Sequence, residues 1–579
     1  MYLSELKIEG FRRIDDLTVK FRPGLNVLVG ANNVGKTAVV DALRALLSTT
    51  EEGALRISES DLHAPKGAGT PAAHITFHYV FRGLTVDEEA DFLTALKPVA
   101  VPAGTAPQYE AHIRVRYSSP DAGGRMRPKR WCGDHEENGL TSDMLEDLRA
   151  TYLPPLRDPA SGLRPSRSSQ VARLIHRLSD ENAKKEMVDE LLKFDTELKK
   201  KKPIEETQKA IRSRHEGMLG SKLKQGLAVG FSNPDFQRLA ARLSLTVDSL
   251  DIEQNGLGYN NLIYMAVVLS ELSLNPDAAY KALIVEEPEA HLHPQMQAVL
   301  LQYLESKETP EAGEKAVQVF VTSHSPNFAA IARIDTIGCL CEHGDVIKGF
   351  FPREVKFAKG KKEKLQRYLD VTRAELYFAR RIILVEGAAE RFMVEVLAKR
   401  MKIDLRKHAV SVLSTEGLNF DAFTPLFGKD SLNVRVAIIS DADPQAPGAF
   451  PKLGDALSLS DAANAIKALG NDFVKAFFAQ KTFEYDLALQ PKNQVVMLKA
   501  LTELHPVIAA NLETSVAAAL ADDKPIAIFK GMFDRGENAT NVQKGAYGQA
   551  LAQTIADDVD GDFVVPPYIA DAINYIVAD

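Results

Sequence analysis

Gly30-Ala31-Asn32-Asn33-Val34-Gly35-Lys36-Thr37 limits what this chain can fold into more than any other stretch. It follows the apolar run GLNVLVG and opens the helically spaced TAVVDALRALL. A glycine-rich turn between strand and helix lets backbone amides wrap a phosphate, and the helix N-terminus adds its partial positive charge. The spacing G-x-x-x-x-G-K-[ST] in this context commits the N-terminal part of the chain to an α/β architecture around a bound nucleotide. Gly30, Asn32, Asn33, Gly35, Lys36 and Thr37 are expected to hold ATP, with Lys36 on the β/γ oxygens and Thr37 on Mg²⁺.

Further along, ALIVEEPEAHLHP reads as a buried strand ending in acids. Glu286 is placed to hold Mg²⁺ through water and Glu287 to polarise the attacking water. Glutamate stands at the first of these positions, where aspartate is usual. VQVFVTSHSPNF sets Thr322, Ser323 and His324 at the end of another strand, where His324 can sense a γ-phosphate. Between them IEQNGLGYNNLIYMA puts Gly256 and Gly258 before a helix, with a plain glycine turn as the competing reading. These motifs, in this order on a chain opening LKIEGFRR, resemble the ABC-type ATPase heads of the RecF and SMC group. That resemblance implies ATP-dependent engagement of two heads, the Gly256 loop of one subunit completing the site of another.

A second constellation lies beyond residue 380. ILVEGAAERF closes a buried strand with Glu386 and places Glu390 in the first turn of the next helix; VRVAIISDADP closes another with Asp441 and Asp443. Residues two apart on an extended chain point to one side, and open α/β sheets build their sites beyond the C-terminal ends of strands. Carboxylates gathered there repel unless cations neutralise them, and hard oxygen ligands select Mg²⁺ or Mn²⁺. Either pair alone reads equally well as solvated strand-end acids; both pairs together favour the metal site.

The E-G-x-x-E plus D-x-D pattern resembles the Toprim domain of topoisomerases, primases, RecR-type repair proteins and OLD nucleases. An ABC-type ATPase followed by Toprim is similar to the OLD (overcoming lysogenization defect) family. YLPPLRDP (152–159), EEPEAHLHPQ, TSHSPNF, RYLDVTRAELYFARRIILVEG and KGAYGQALA carry that resemblance over nearly all 579 residues. It implies a two-metal nuclease with Glu386, Glu390, Asp441, Asp443 and Glu484 as ligands and Lys544 beside the scissile phosphate. Glu416 is a further ligand candidate, and Lys530, read at a strand end, competes with Lys544. It also implies duplex DNA as substrate, a homo-oligomer of at least two chains, a setting in phage defence or repair, and in some members a UvrD-like helicase partner. An SMC- or RecF-like DNA-binding clamp without nuclease activity stays open beside it. A topoisomerase would need a nucleophilic tyrosine in a separate domain, for which there is no evident room.

The expected fold is therefore α/β: an ABC/SMC-like P-loop ATPase domain with a helical insertion, then a Toprim (Rossmann-like) domain. The ATPase is placed at 1–164 and 226–365, a Lys-, Glu- and Leu-rich helical insertion expected to dimerise at 165–225, and the Toprim domain at 366–579. Antiparallel strands are expected first (HITFHYVF, AHIRVRYSS), then buried strands at RIILVEG, AVSVLST, VRVAIISDAD and PIAIFKG. The run Lys199 to Lys202 reads as a solvated helix end, and KFAKGKKEK (356–364) as a flexible solvated linker ahead of a DNA contact. A net charge of −8 excludes whole-molecule attraction to DNA, leaving local patches and metal ions to make that contact. Cys132, Cys339 and Cys341 lack zinc-ligand spacing, and no apolar run approaches the roughly 18 residues that span a bilayer, so a reducing cytoplasm is expected and no membrane partner.

Overall fold

The computed structural model describes the chain apart from residues 49–54, 67–68, 101, 103–106, 122–123, 156–157, 168, 224, 231–234, 275–277, 310–314, 445–447, 536–539, 559–560 and 579. Leu156 and Arg157 of YLPPLRDP thus lie outside the described residues. The N-terminal sheet is antiparallel, with Tyr2–Phe11 between Ile14–Lys20 and Ile75–Arg82, and Gln108–Pro120 beyond. Its sequence alternates because one face is buried: Leu6 and Ile8 are fully inside, while Lys7 reaches Glu9 and Asp16 on the outer face.

The second sheet carries the nucleotide site. Its order is Val346–Phe350, Ile337–His343, Leu25–Val29, Gln318–Thr322, Tyr280–Glu286 and Leu148–Leu153, parallel except for the first strand. Leu25–Val29, Gln318–Thr322 and Tyr280–Glu286 are buried along their whole length, which is why they read as apolar runs without alternation. Helix Lys36–Leu47 packs between the two sheets. Gln318 locks the sheets together: its side-chain carbonyl accepts from Leu3 N and Tyr280 Oη, and its amide donates to the carbonyls of Leu3 and Arg22.

Helices Gln170–Leu178, Glu181–Lys199 and Lys202–Leu223 lie within 165–225; of the run Lys199 to Lys202, Lys199 ends the second helix, Lys200 caps it and Lys202 opens the third. A third sheet of four parallel strands, ordered Val410–Ser414, Arg381–Val385, Arg435–Ser440 and Val474–Phe478, forms the C-terminal α/β unit. Among the described residues no helix is long and apolar enough to cross a membrane.

Two expectations fail, one of them in part. PIAIFKG is no strand: it lies in helix Lys524–Phe533, which buries Pro525, Ile528, Phe529 and Met532 at helical spacing, so Lys530 sits on a helix. The reading of 356–364 as a solvated linker fails only in part: residues 356–360 are non-helical and mostly exposed, whereas 361–364 already belong to a packed helix. Helix Lys361–Tyr368 buries Leu365 completely, Lys361 pairs with Asp421 and Lys362 with Asp335, and Gln366 exchanges hydrogen bonds with Ile334 N and Ala332 O. Lys361 and Lys362 thus face partners on both sides, making this helix a joint between the nucleotide sheet and the C-terminal sheet, whose side chains share one continuous core.

Candidate functional site

The nucleotide loop is built by a backbone that only glycine allows at its start. Gly30 has φ +146°, and a Cβ there would strike the carbonyl oxygen of Leu340. Lys36 folds back over the loop and donates to Gly30 O at 2.5 Å and Ala31 O at 2.8 Å. Burial lowers its pKa to about 8. Thr37 Oγ1 donates to Glu286 Oε2 at 3.2 Å and Tyr152 Oη to Glu286 Oε1 at 2.6 Å, so the strand-end acid meets the loop threonine. Burial raises the Glu286 carboxyl, and the two hydroxyls oppose that rise.

Glu287 takes a left-handed backbone, φ +47°, a sparsely populated region for a side-chain-bearing residue. It lines an open cleft with Asn32, Asn33 and His324, and His324 Nε2 lies 3.6 Å from Glu287 Oε1. Burial and then the charge of Lys36 lower the His324 pKa, which favours its neutral form. Glu289 anchors this strand end, accepting from Ser323 Oγ at 2.6 Å and His324 N at 3.1 Å. Gly256 caps helix Leu257–Ser273, and a Cβ on Gly258 would meet His291 O at 2.6 Å, so the glycine pair packs directly behind the acidic motif.

The second site forms where the central strands of the C-terminal sheet end. Glu386 Oε1 accepts from Ser440 Oγ at 2.5 Å and from Asp441 N at 2.9 Å, which joins the two strand ends. Asp441 Oδ1 accepts from Phe483 N at 2.8 Å, bringing in helix Phe483–Ala488 and with it the buried Glu484. Lys544, half exposed at the start of helix Lys544–Asp557, reaches Glu484 Oε2 at 2.9 Å. Burial raises the Asp441 carboxyl well above its ordinary value, and Glu386, Glu484 and Glu390 add to the rise while Lys544 opposes it. Glu390 is pushed up to about 7, by burial first and then by Glu484 and Glu386. Burial alone would lower Lys544; Glu484, Asp441 and Glu390 outweigh it and raise the pKa.

Asp443 stands apart. The chain is not extended there, because Asp443 has φ +43°; its side chain is exposed and is not among the principal charges acting on Asp441 or Glu390. Glu416, at φ +52°, is exposed and paired with Arg373. Lys530 is not among the principal charges acting on these carboxylates.

As the side chains stand, no three His, Cys, Asp or Glu groups among the described residues are disposed as a formed metal cage. The donor set nevertheless fits a divalent cation. Glu484 Oε1 is buried without a hydrogen-bond partner, and the carboxyls of Asp441 and Glu390 are raised first by burial and then by their acidic neighbours, both of which such an ion would offset.

Several participants were not singled out from the sequence. Tyr152 lies in the quoted YLPPLRDP, but nothing in the pattern marks its hydroxyl. Ser440 precedes the D-x-D pair and carried no signal of its own. Arg373, buried inside the quoted TRAELYF, donates to Ser414 O at 2.7 Å, Tyr368 O at 2.9 Å and Asp370 Oδ2 at 2.9 Å, besides Glu416. Ser414 Oγ in turn donates to Glu386 O at 3.3 Å. The same short turn, Arg373–Tyr377, offers Tyr377 O to Cys339 Sγ at 3.5 Å, and Cys339 pairs with Val29 immediately before the nucleotide loop. One buried turn therefore touches the backbone behind both sites.

Comparison with known proteins agrees with both halves. A family model described as an AAA ATPase domain matches residues 1–217 and 163–329, and one described as the overcoming lysogenization defect protein-like Toprim domain matches 377–443. An OLD nuclease of Thermus scotoductus is 24% identical over 441 residues, spanning 72% of this chain and 77% of the relative. Endonuclease GajA of Bacillus cereus (strain VD045) is 22% identical over 437 residues, 73% of this chain and 72% of the relative. Among solved structures, the C-terminal region of the Burkholderia pseudomallei OLD protein aligns with a TM-score of 0.25 at 24% identity, covering 34% of this chain and 97% of that one.

Proposed function

The chain belongs to the AAA ATPase-domain family and carries an overcoming-lysogenization-defect-like Toprim domain, and from that premise we propose that it is an ATP-binding, metal-dependent endonuclease of duplex DNA. The observation that carries this reading is the meeting of Glu386, Glu390, Asp441 and Glu484 at adjoining strand ends, with Lys544 among them. Such a cluster is costly unless cations share it. Glu386, Glu390, Asp441 and Glu484 would hold two ions, Mg²⁺ or Mn²⁺, and Asp443 would join them from the exposed loop. Bound ions of this kind activate water and offset charge on the leaving oxygen. Lys544 would turn its ammonium from Glu484 to the phosphate, and Ser440 and Asp441 N keep Glu386 oriented meanwhile.

In the ATPase half, Gly30, Asn32, Asn33, Gly35, Lys36 and Thr37 would hold ATP, Glu286 its Mg²⁺, Glu287 the attacking water, and His324 the γ-phosphate. The exposed positions of Leu257 and Tyr259 beside Gly256 fit a loop that completes the site of a second copy, and hence a working unit of at least two chains.

Incubation of supercoiled plasmid with Mg²⁺ or Mn²⁺, with and without ATP, tests the reading. The wild type is expected to nick or linearise it and Asp441→Ala to leave it supercoiled. Equal nicking by the variant would refute the site; intact plasmid throughout, with ATP-dependent DNA binding, would favour a clamp.

A further inference from the structure

Phe450 sits among groups that have no part in the scheme above. Phe450 rests on Tyr485 and Phe529, with ring centroids 5.5 and 6.1 Å away, and those two rings pack edge-on at 5.9 Å. Tyr485 Oη donates to Pro451 O at 3.0 Å, which fixes the residue after Phe450. Two cations sit on this footing. Lys481 Nζ is 4.6 Å from the Phe450 ring centroid and Lys530 Nζ 5.1 Å from the same point.

Lys481 also donates to Ala449 O at 2.9 Å, but among the described residues the ion pairs of this region, Lys452 with Asp522 and Lys544 with Glu484, leave out both ring-bound lysines. An aromatic face attracts a cation without cancelling its charge, so the two ammonium groups stay available to an anion. Their place is tied to the carboxylates through the backbone. Asp443 N donates to Lys481 O at 3.1 Å, and Tyr485 follows Glu484 in the same short helix.

Resting on the nuclease reading, we infer that Lys481 and Lys530, seated on Phe450, clamp the sugar–phosphate backbone of DNA flanking the scissile bond. A lysine ammonium is a point charge that takes phosphate whatever the base, so the clamp positions the strand and reads no sequence. It also gives a net acidic protein a local basic contact beside its most acidic cluster.

Binding of a fluorescent duplex, followed by anisotropy in EDTA across a salt series, tests the clamp without requiring cleavage. Each phosphate contact contributes a slope of about −0.9 in log K against log salt. Lys530→Gln is expected to flatten the wild-type slope by that much, and Lys481→Gln with Lys530→Gln by roughly twice as much, equally for unrelated sequences. Lys530→Arg is expected to keep the wild-type slope. A wild-type slope in both Gln variants overturns the clamp, as does Lys530→Arg behaving like Lys530→Gln. Failure of the nuclease reading shows separately, as plasmid left intact by a wild type whose salt slope still responds to these substitutions.

Discussion

At the end of strand Tyr280–Glu286 the buried acids are served by neutral donors: hydroxyls of Thr37 and Tyr152 on Glu286, the hydroxyl of Ser323 and the amide of His324 on Glu289. The site's one lysine, Lys36, is tied to carbonyls of its own loop. At the ends of Arg381–Val385 and Arg435–Ser440 the acids raise one another, and the lysine is committed to one of them. Both sites handle phosphate chemistry, yet they rest differently. Neutral hydrogen bonds hold the acids of the ATP site, whereas the proposed cations would balance the charge of the Toprim site.

The sharpest way to break this contrast is Asp441→Asn. Nicking is expected to fall by a factor on the order of 10³ or more, because the proposed ions would lose a ligand. The same change is expected to raise the melting temperature in EDTA, since it removes a buried charge that its neighbours repel. Differential scanning fluorimetry reads the second effect and plasmid conversion the first. Next in size, Glu287→Gln should lower ATP turnover by about 10²–10³-fold while ATP binding persists, measured by phosphate release and equilibrium titration.

Arg373→Ala probes whether the two sites communicate through the turn behind them. It removes the guanidinium from Ser414 O and Glu416, and the ratio of nicking rates with and without ATP is expected to move towards one, a loss worth about 1–3 kcal/mol of coupling. An unchanged ratio would make Arg373 a purely structural residue. The smallest effect lies far from both sites. Burial holds His78 neutral, with its pKa lowered to about 3, beside His112, whose pKa burial also lowers. The unfolded chain protonates His78 below about pH 6.5 and the folded one only near pH 3, so stability falls as pH drops below about 6.5. His78→Gln should make the melting temperature fall less steeply from pH 6.5 to pH 5.

Much of this was legible in the residues. The nucleotide loop, Glu286, Glu386 and Asp441 all follow buried apolar runs, and a buried parallel strand writes itself as such a run. The fold class followed from them. Helix Lys524–Phe533 was misread because a short apolar run suits strand and helix alike; the burial of Pro525, Ile528, Phe529 and Met532 shows the helical period only once the neighbouring residues are counted. Within 356–364 only the helical end departs from a solvated linker, because Lys361 and Lys362 look solvated until Asp421 and Asp335, distant in sequence, come to meet them. The D-x-D pair assumed an extended chain, and the left-handed turn at Asp443 removes that assumption. Lys481 and Phe450 could not be joined in advance, because their contact is tertiary and links residues distant in sequence with no pattern between them.

Melting temperature under Mn²⁺ titration, without ATP, tests the central claim most directly when wild type, Lys36→Ala and Asp441→Asn are run together. The ion is expected to stabilise the wild type and Lys36→Ala alike, by about 2.7 kcal/mol at a hundredfold excess over its dissociation constant, and to leave Asp441→Asn where it stands. Stabilisation that survives Asp441→Asn, or that vanishes in Lys36→Ala, would contradict the assignment of the cation-dependent site to the C-terminal carboxylates.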